Sequence, residues 1–405
     1  MDRDKFIDVA TTVSSEKWSE ATARKKTLYE KNIEIRTPFA RDYTRILHST
    51  AYRRLKHKTQ VFFATTNDHI CTRIEHVNHV NSVSKTIANF LGLNSELTDA
   101  ISLGHDLGHA PFGHMGEVIL KNLIECNTMS HTFWHEKNSL HFIDNIETLK
   151  GPDGKHYNLD LTYAVRDGII CHCGEVDENG IKPRDEAFDL IRISKPNEFR
   201  PFTWEGCVVK ISDKIAYLGR DIEDAIELGI LKPEQIGEID NLLQENGISE
   251  SLKTNNTVLI HNFIIDLCTN SNPDAGIKLS DTKLALMKKV KDFCYKRIYM
   301  HPKIERYKKF IAHLLKDIFL VLMDLIDDII EGREESRKYC PTLYDGFKSY
   351  LAKYSKQLES TEEFSNILKI YDLGLKEDKV LACIDFISGM TDQYAIKIYK
   401  ETIAF

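Results

Sequence analysis

The chain has 405 residues, of which 42% are hydrophobic and 28% charged, and its formal net charge is −7 at pH 7. These values are typical of a globular protein with room for more than one lobe, and the negative charge argues against nucleic-acid binding through bulk electrostatics. No apolar run approaches the roughly 18 residues of a membrane span, no signal-peptide pattern opens the chain, and nine scattered cysteines give no disulfide framework, so a cytoplasmic location is expected.

Apolar residues recur at spacings of three and four along most of the chain, which predicts a mostly α-helical protein. Three long segments have this pattern: 73–91, 310–330 and 380–399. The apolar residues 61–64 predict a short strand or one arm of a β-hairpin. We expect an N-terminal helical arm over 1–35, a catalytic helical core over 36–230, and a C-terminal helical region over 231–405 that packs on the core.

A helix is predicted to begin after Asn94, because Asn is a favoured N-cap and the apolar pattern starts directly behind it. His105 and Asp106 would lie near the end of this helix, which we expect to fray at Gly108. An open loop beyond the helix end would give a substrate access to both side chains.

Residues 104–117, GHDLGHAPFGHMGE, concentrate side chains that bind metals or move protons: His105, Asp106, His109, His114 and Glu117. The first and third of these are four residues apart and the last two are three apart, so each group can converge on one point. A lone histidine is usually structural, but this density favours a catalytic divalent-metal site. The sequence Cys-His-Cys at 171–173 could indicate zinc, but no second pair stands at ligand spacing, so a packed helix end is preferred.

Two other segments add the groups that a complete metal site needs. Residues 73–76 open a helix on which His76 can be a first ligand. Asp213 supplies a further carboxylate, and Tyr217 and Asp221 follow it at spacings of four, so one face of a helix would present all three. The order along the chain is then His, His-Asp and Asp, which makes a set of four ligands.

With these motifs the chain resembles the HD-domain superfamily, and within it the deoxynucleoside triphosphate (dNTP) triphosphohydrolases, which include bacterial dGTPases and an animal relative with a SAM domain. Seven segments carry the resemblance: RTPFARDYTRILHSTAYRRLKHKTQVF (36–62), RIEHVNHV (73–80), GHDLGHAPFGHMGE (104–117), HEKNSL (135–140), DKIAYLGRDIEDA (213–225), YMHP (299–302) and DFISGMTDQYA (385–395). The resemblance implies an all-α fold, with an HD-domain helical bundle, additional C-terminal helices and at most a short β-hairpin.

The resemblance also implies a metal site with four ligands: His76, His105, Asp106 and Asp213. The divalent ion, which could be Mg, Mn, Fe, Ni, Co or Zn, would meet the α-phosphate of a dNTP. Water would attack that phosphate and release the deoxynucleoside and intact triphosphate. We therefore expect a metal-dependent dNTP triphosphohydrolase that cleaves dGTP and other dNTPs.

Two more sets of residues match positions that line the substrate in this family. The catalytic set is His109, His114, Glu117, His135 and Glu136. The substrate-binding set is Gln60, Arg73, Lys214, Tyr217, Asp221 and Tyr299. By resemblance Arg73 and Lys214 bind phosphates, Asp221 holds the 3′-hydroxyl, Tyr217 fills the place of a 2′-hydroxyl, and Gln60 and Tyr299 lie near the base or sugar. Which histidine is acid and which is base stays open, as does a purely structural role for His109.

The expected partners are a dNTP substrate and further copies of the chain in a homo-oligomer such as a hexamer, with no membrane. A nucleotide activator and weak binding of single-stranded nucleic acid are also compatible with the resemblance. Asn78 and His79 depart from the family pattern, no SAM domain is expected ahead of the core, residues 230–290 match nothing assigned, and GMTD at 389–392 is a family signature without a derived role. Two alternatives remain: another HD-domain nucleotide phosphohydrolase (monophosphatase or phosphodiesterase), and a catalytically silent protein that binds dNTPs or nucleic acid.

Overall fold

The computed structural model describes residues 2–26, 34–63, 67, 69–173, 179–246, 248, 256–359 and 369–403. Within these ranges sixteen α-helices and one two-stranded sheet are present. The first eight helices are α1 (Trp18–Thr22), α2 (Pro38–His48), α3 (Thr50–Arg54), α4 (Arg73–Leu91), α5 (Ser95–Gly104), α6 (Gly113–Asn127), α7 (His135–His141) and α8 (Tyr163–Ile170). The other eight are α9 (Trp204–Glu227), α10 (Pro233–Glu245), α11 (Asn256–Asn270), α12 (Asp281–Cys294), α13 (Pro302–Ile330), α14 (Pro341–Tyr354), α15 (Lys376–Ser388) and α16 (Asp392–Ile403).

The predicted all-α class is confirmed, and the strands form only a short hairpin. Strand β1 (Thr148–Lys150) pairs antiparallel with β2 (His156–Asn158), with Leu149 opposite Tyr157. The prediction of a strand over 61–64 is wrong for 61–63, and Ala64 lies outside the described residues. Phe62 and Phe63 are consecutive and both buried, whereas a half-buried strand would alternate between an inward and an outward side chain.

Local capping explains where the helices near the site begin and end. Asn94 caps α5 as predicted, accepting from the backbone N–H of Glu96 and Leu97. The helix ends at Gly104, so His105 and Asp106 lie in the turn behind it rather than on its last turn. Gly108 ends this turn against α7, where a Cβ would stand 2.2 Å from the backbone of Asn138. The close approach of two backbones therefore takes the chain out of the helix earlier than the apolar pattern predicts.

The apolar pattern over 380–399 belongs to two helices, α15 and α16, with a break at 389–391. Gly389 follows the end of α15, and the Thr391 hydroxyl accepts from the N–H of Tyr394 in the first turn of α16. A side chain that satisfies an N–H in this way starts a new helix rather than continuing the old one.

Buried apolar side chains form two clusters, and the helices around the candidate site contribute to both. Helices α4, α5, α8 and α9 pack on one another, while α13 and α15 pack on α6. Residues from both sides of position 230 share these clusters, and the division into regions stays a prediction. Over 2–26 the α-helical part is confined to α1, and Phe6 is buried with its N–H bonded to Leu91. None of the described helices has the length and apolar content to cross a membrane.

The GMTD segment ties the C-terminal helices to the loop ahead of α6. The Asp392 carboxylate accepts from the N–H of Phe112 at 2.9 Å and from the N–H of Thr59 at 3.0 Å. Buried Lys58 donates from Nζ to the carbonyls of His109 and Ser388. Phe112 has a φ of 63°, a left-handed conformation that costs a non-glycine residue on the order of 1–3 kcal/mol. The segment therefore holds a strained loop that carries His109.

The Asp392→Ala variant is expected to unfold at lower denaturant concentration than the wild type, because two buried N–H groups lose their acceptor. At about 1–3 kcal/mol for each unsatisfied group, the free energy of unfolding should fall by about 2–6 kcal/mol, measured by urea titration with circular dichroism. Gln393→Ala is the matched control, since this neighbour is exposed in the same helical turn and its loss should cost no more than about 0.5 kcal/mol. Equal losses in both variants would contradict a stabilising role of the two hydrogen bonds that Asp392 accepts.

Candidate active site

Three predicted ligands converge from three separate elements. His76 comes from α4, His105 from the turn behind α5 and Asp213 from α9. One ligand atom of each lies within 4.8 Å of the other two, and His76 Nε2 stands 3.0 Å from an Asp213 oxygen. Burial alone would raise the pKa of Asp213, but the hydrogen bond with His76 lowers it, so the carboxylate is charged.

The fourth predicted ligand, Asp106, lies on the other side of His105. Its Oδ2 pairs with Arg73 Nη1 at 2.5 Å, and both side chains are almost fully buried. Burial opposes the charge of Asp106, but Arg73 and then His105 hold its pKa well below the usual range. A ligand oxygen of Asp106 groups with His105 and with His172. The predicted ligands therefore fall into two overlapping groups that share His105.

The imidazole of His105 has the arrangement expected of a metal ligand. Its Nδ1 is 2.6 Å from the carbonyl of Ser102, which fixes the proton on Nδ1. Its Nε2 is buried and has no hydrogen-bond partner among the described residues. Burial lowers the pKa of His105, so the ring is neutral. A ring held through one nitrogen by a backbone carbonyl, with the other nitrogen unprotonated, suits a divalent cation.

His172 lies in the site although sequence reasoning assigned 171–173 to a packed helix end. Cys171 does cap α8 at its C-terminus, but the next residue turns its ring inward. The ring centroid of His172 is 4.9 Å from that of His105 and 5.4 Å from that of His135. Burial, followed by the neighbouring His105 and His135, lowers the pKa of His172 to about 3. No spacing signal marks this residue, because its neighbours in space come from other segments of the chain.

A second group of side chains surrounds Glu117. Its carboxylate stands 3.1 Å from Nδ1 of His135 and 3.3 Å from Nδ1 of His114, and it accepts from the His135 backbone N–H at 3.0 Å. His109 stacks on His135, with ring centroids 4.8 Å apart. Ligand atoms of these four residues all lie within 4.8 Å of one another. The structure therefore brings together four of the five residues predicted as catalytic, and Glu136 follows His135 at the start of α7.

The charges in this second group differ from one histidine to the next. Burial opposes a charge on His135, but Glu136 and then Glu117 raise its pKa to about 10. Burial and the nearby Arg73 hold the pKa of His109 well below its usual range. Burial also raises the pKa of Glu136. At neutral pH the group thus contains a cationic His135, a neutral His109 and a His114 whose side chain is 57% exposed.

The predicted substrate-binding residues lie along α9 and beside it. Tyr217 and Asp221 follow Asp213 on the same helix, and Asp221 accepts a hydrogen bond from the Tyr299 hydroxyl. Burial raises the pKa of Asp221 to about 6 despite that hydrogen bond. Lys214 is buried on the same helix. Across the loop ahead of α4, Gln60 has a buried Oε1 with no hydrogen-bond partner within the described part of the chain.

Comparison with known proteins places this site in a family. A model of the HD domain matches residues 73–218, which include the residues of both metal-capable groups. A deoxyguanosinetriphosphate triphosphohydrolase-like protein of Caldanaerobacter subterraneus is 32% identical over 372 residues, which cover 92% of this chain and 86% of the relative. The chain belongs to the deoxyguanosinetriphosphate triphosphohydrolase-like family.

Other members of this family match over similar spans. The protein of the same description from Clostridium perfringens is 32% identical over 387 residues, with 95% of this chain and 92% of the relative covered. The one from Desulfatibacillum aliphaticivorans is 35% identical over 296 residues, with 72% and 75% covered. The predicted resemblance is confirmed, and membership of the family supports a phosphohydrolase. The roles of the individual site residues stay predictions.

Mn²⁺ is expected to raise the melting temperature of the metal-free protein, because a ligand that binds only the folded state stabilises it by about 2.7 kcal/mol at a hundred times its dissociation constant. In Asp213→Asn the rise should be largely lost, since the variant replaces a charged ligand by a neutral one. Differential scanning calorimetry with and without Mn²⁺ measures both. Asp324→Asn, on the exposed side of α13, should keep the full rise; an undiminished rise in Asp213→Asn would remove this residue from the ligand set.

Proposed function

We propose that this protein is a metal-dependent dNTP triphosphohydrolase that converts dGTP, and other dNTPs, to the deoxynucleoside and intact triphosphate. The observation that carries the proposal is the adjacency of two chemically different groups. His76, His105 and Asp213 form a group suited to a cation, and His109, His114, Glu117 and His135 form a group suited to proton transfer. The rings of His105, His172 and His135 bridge the two groups.

The cation would be held by His76, His105 and Asp213, with Asp106 as the fourth ligand from the Arg73 side. When bound there, a divalent ion polarises a phosphoryl oxygen and lowers the pKa of water. The chain itself supplies a neutral imidazole and two ionised carboxylates, because burial keeps His105 neutral while Arg73 keeps Asp106 charged and the hydrogen bond with His76 keeps Asp213 charged. Asp106 and Asp213 bring two negative charges to the ligand group, which favours binding of a cation, although Arg73 offsets the charge of Asp106.

Proton transfer to the leaving 5′-oxygen suits His114 better than His135. The raised pKa of His135 keeps its proton at neutral pH, so this ring acts as a fixed cation beside the phosphates. Of the two rings, His114 is the more exposed. Glu117 contacts both rings, so its carboxylate orients His114 and balances the positive charge of His135. Burial raises the pKa of Glu136, whose carboxylate holds the charge of His135 and can orient water by accepting a hydrogen bond.

Substrate binding would combine phosphate and sugar contacts. Arg73 keeps Asp106 in place through Nη1, while its buried Nη2 has no hydrogen-bond partner in the described ranges and can donate to a phosphate oxygen. Lys214, next to Asp213, adds a second buried cation. One and two turns further along α9, about 6 and 12 Å of helix rise, Tyr217 and Asp221 would meet the deoxyribose, with Tyr299 beside them. Gln60 would offer its Oε1 to the base or sugar.

The test is incubation of the purified protein with each dNTP and NTP, singly and mixed, with Mn²⁺ or Mg²⁺, followed by anion-exchange separation of the products. Deoxynucleoside and intact triphosphate are the expected products. Orthophosphate or monophosphates would instead favour another HD-domain phosphohydrolase, and binding without turnover under any metal would favour a silent nucleotide-binding protein. Turnover only in mixtures would add a nucleotide activator, and analytical ultracentrifugation of the same samples tests the proposed homo-oligomer.

Tyr217→Ala is expected to weaken discrimination against ribonucleotides, because removing the ring opens the space that a 2′-hydroxyl would need. The ratio of kcat/KM for dGTP to that for GTP should fall by about tenfold or more. Steady-state kinetics on both nucleotides measure this ratio. Tyr295→Ala is the control, since this tyrosine is 58% exposed, and its ratio should match the wild type. An unchanged ratio in Tyr217→Ala would refute the steric explanation.

A further inference from the structure

His172 and His105 are held in the same way at the ends of two neighbouring helices. His105 directly follows α5, and His172 follows α8 after one residue. In both, Nδ1 lies 2.6 Å from the carbonyl of the residue three positions earlier: Ser102 for His105 and Ile169 for His172. Both residues are buried, with an exposed fraction of 1% each. A helix-end carbonyl therefore fixes each ring and leaves Nε2 as the nitrogen that can bind a ligand.

The position of His172 makes it part of the cation-binding side of the site. Its ligand nitrogen lies within 4.8 Å of the ligand atoms of His105 and Asp106. A zinc–imidazole bond is about 2.0–2.1 Å long, so ligand atoms this close together could reach one ion after small side-chain shifts. Asp106 pairs with Arg73 through Oδ2 at 2.5 Å, and its Oδ1 lies 3.8 Å from Nε2 of His105.

Side chains from the start of α7 also lie beside the ring of His172. Glu136, at the start of α7, forms a third group with His135 and His172, whose ligand atoms again lie within 4.8 Å. The neighbouring Cys173 hydrogen-bonds to Glu136 and so fastens the segment behind α8 to α7.

We propose that His172 is a further protein ligand of the divalent ion, binding through Nε2 on the Asp106 side of His105. The inference rests on the proposed metal site but not on the reaction or on the nucleotide that is hydrolysed. It adds a third imidazole to the site and favours ions that bind imidazole well, such as Fe²⁺, Ni²⁺ or Zn²⁺, over Mg²⁺, which prefers oxygen ligands. His172 thereby also links the metal to the side of the site that contains His135 and Glu136.

Pulsed electron–nuclear double resonance on the Mn²⁺-loaded full chain tests this assignment by resolving the ¹⁴N couplings of bound imidazoles. The wild type should have three, and His172→Gln should have two, with Mn²⁺ affinity lowered by at least about tenfold. Affinity alone does not decide, because residues that only support ligands can lower it by about 10–100-fold. His105→Gln should also lose one coupling, and His141→Gln, whose ring pairs with Asp385 instead, should lose none.

Unchanged couplings in a folded His172→Gln would overturn the assignment and leave a positioning role. If that variant does not fold, anomalous scattering from a Zn²⁺-loaded wild-type crystal decides: an ion about 2.1 Å from Nε2 of His172 supports the proposal, and one beyond hydrogen-bond distance overturns it. If the His172 nitrogen couples to Mn²⁺ but the protein hydrolyses no dNTP, the proposed function is refuted and this inference stands. Full triphosphohydrolase activity with two couplings in the wild type would refute this inference alone.

Discussion

The buried ion pair of Arg73 and Asp106 is the constraint around which the site is built. The two charges are 2.5 Å apart and both side chains are almost fully buried. Removal of either partner would leave an uncompensated buried charge, which costs several kcal/mol. Arg73 is the first residue of α4, and its Nε and backbone N–H are bonded to the carbonyls of Thr59 and Lys58. The ion pair therefore connects the turn that contains His105 and Asp106, the start of α4 and the loop before α4.

That loop is also where the C-terminal helices act on the site. The N–H of Thr59 is bonded to Asp392, and Lys58 is bonded to the carbonyls of His109 and Ser388. One buried network thus joins residues that are more than 300 positions apart in the sequence. The GMTD segment acts here through the backbone of the residues it holds and not through a ligand of its own. This gives a physical reason why a segment near the C-terminus can belong to the same sequence signature as the HD motif.

The helices could be predicted where the sequence signal is local, and the site only in part. The pattern over 73–91 matches α4, and Asn94 caps α5, because periodicity and capping act over a few residues. The break at 389–391 and the early end of α5 depend on contacts with distant backbone, which no local pattern contains. Spacing placed Asp213, Tyr217 and Asp221 on one helix, yet it could not reveal that Arg73 pairs with Asp106. The location of His172 in the site could not be predicted for the same reason, since its neighbours His105 and His135 come from other segments of the chain.

Environment, rather than residue type, divides the histidines of the site into two kinds. Burial and the nearby Arg73 keep His109 neutral, and a helix-end carbonyl fixes the neutral rings of His105 and His172. Two carboxylates, Glu136 and Glu117, keep His135 charged although burial opposes that charge. Were all of these rings protonated, they would repel one another and any cation between them. The proposed binding of a cation and a polyanionic substrate side by side needs this separation of neutral and charged imidazoles, and the fold imposes the separation through burial and the placement of carboxylates.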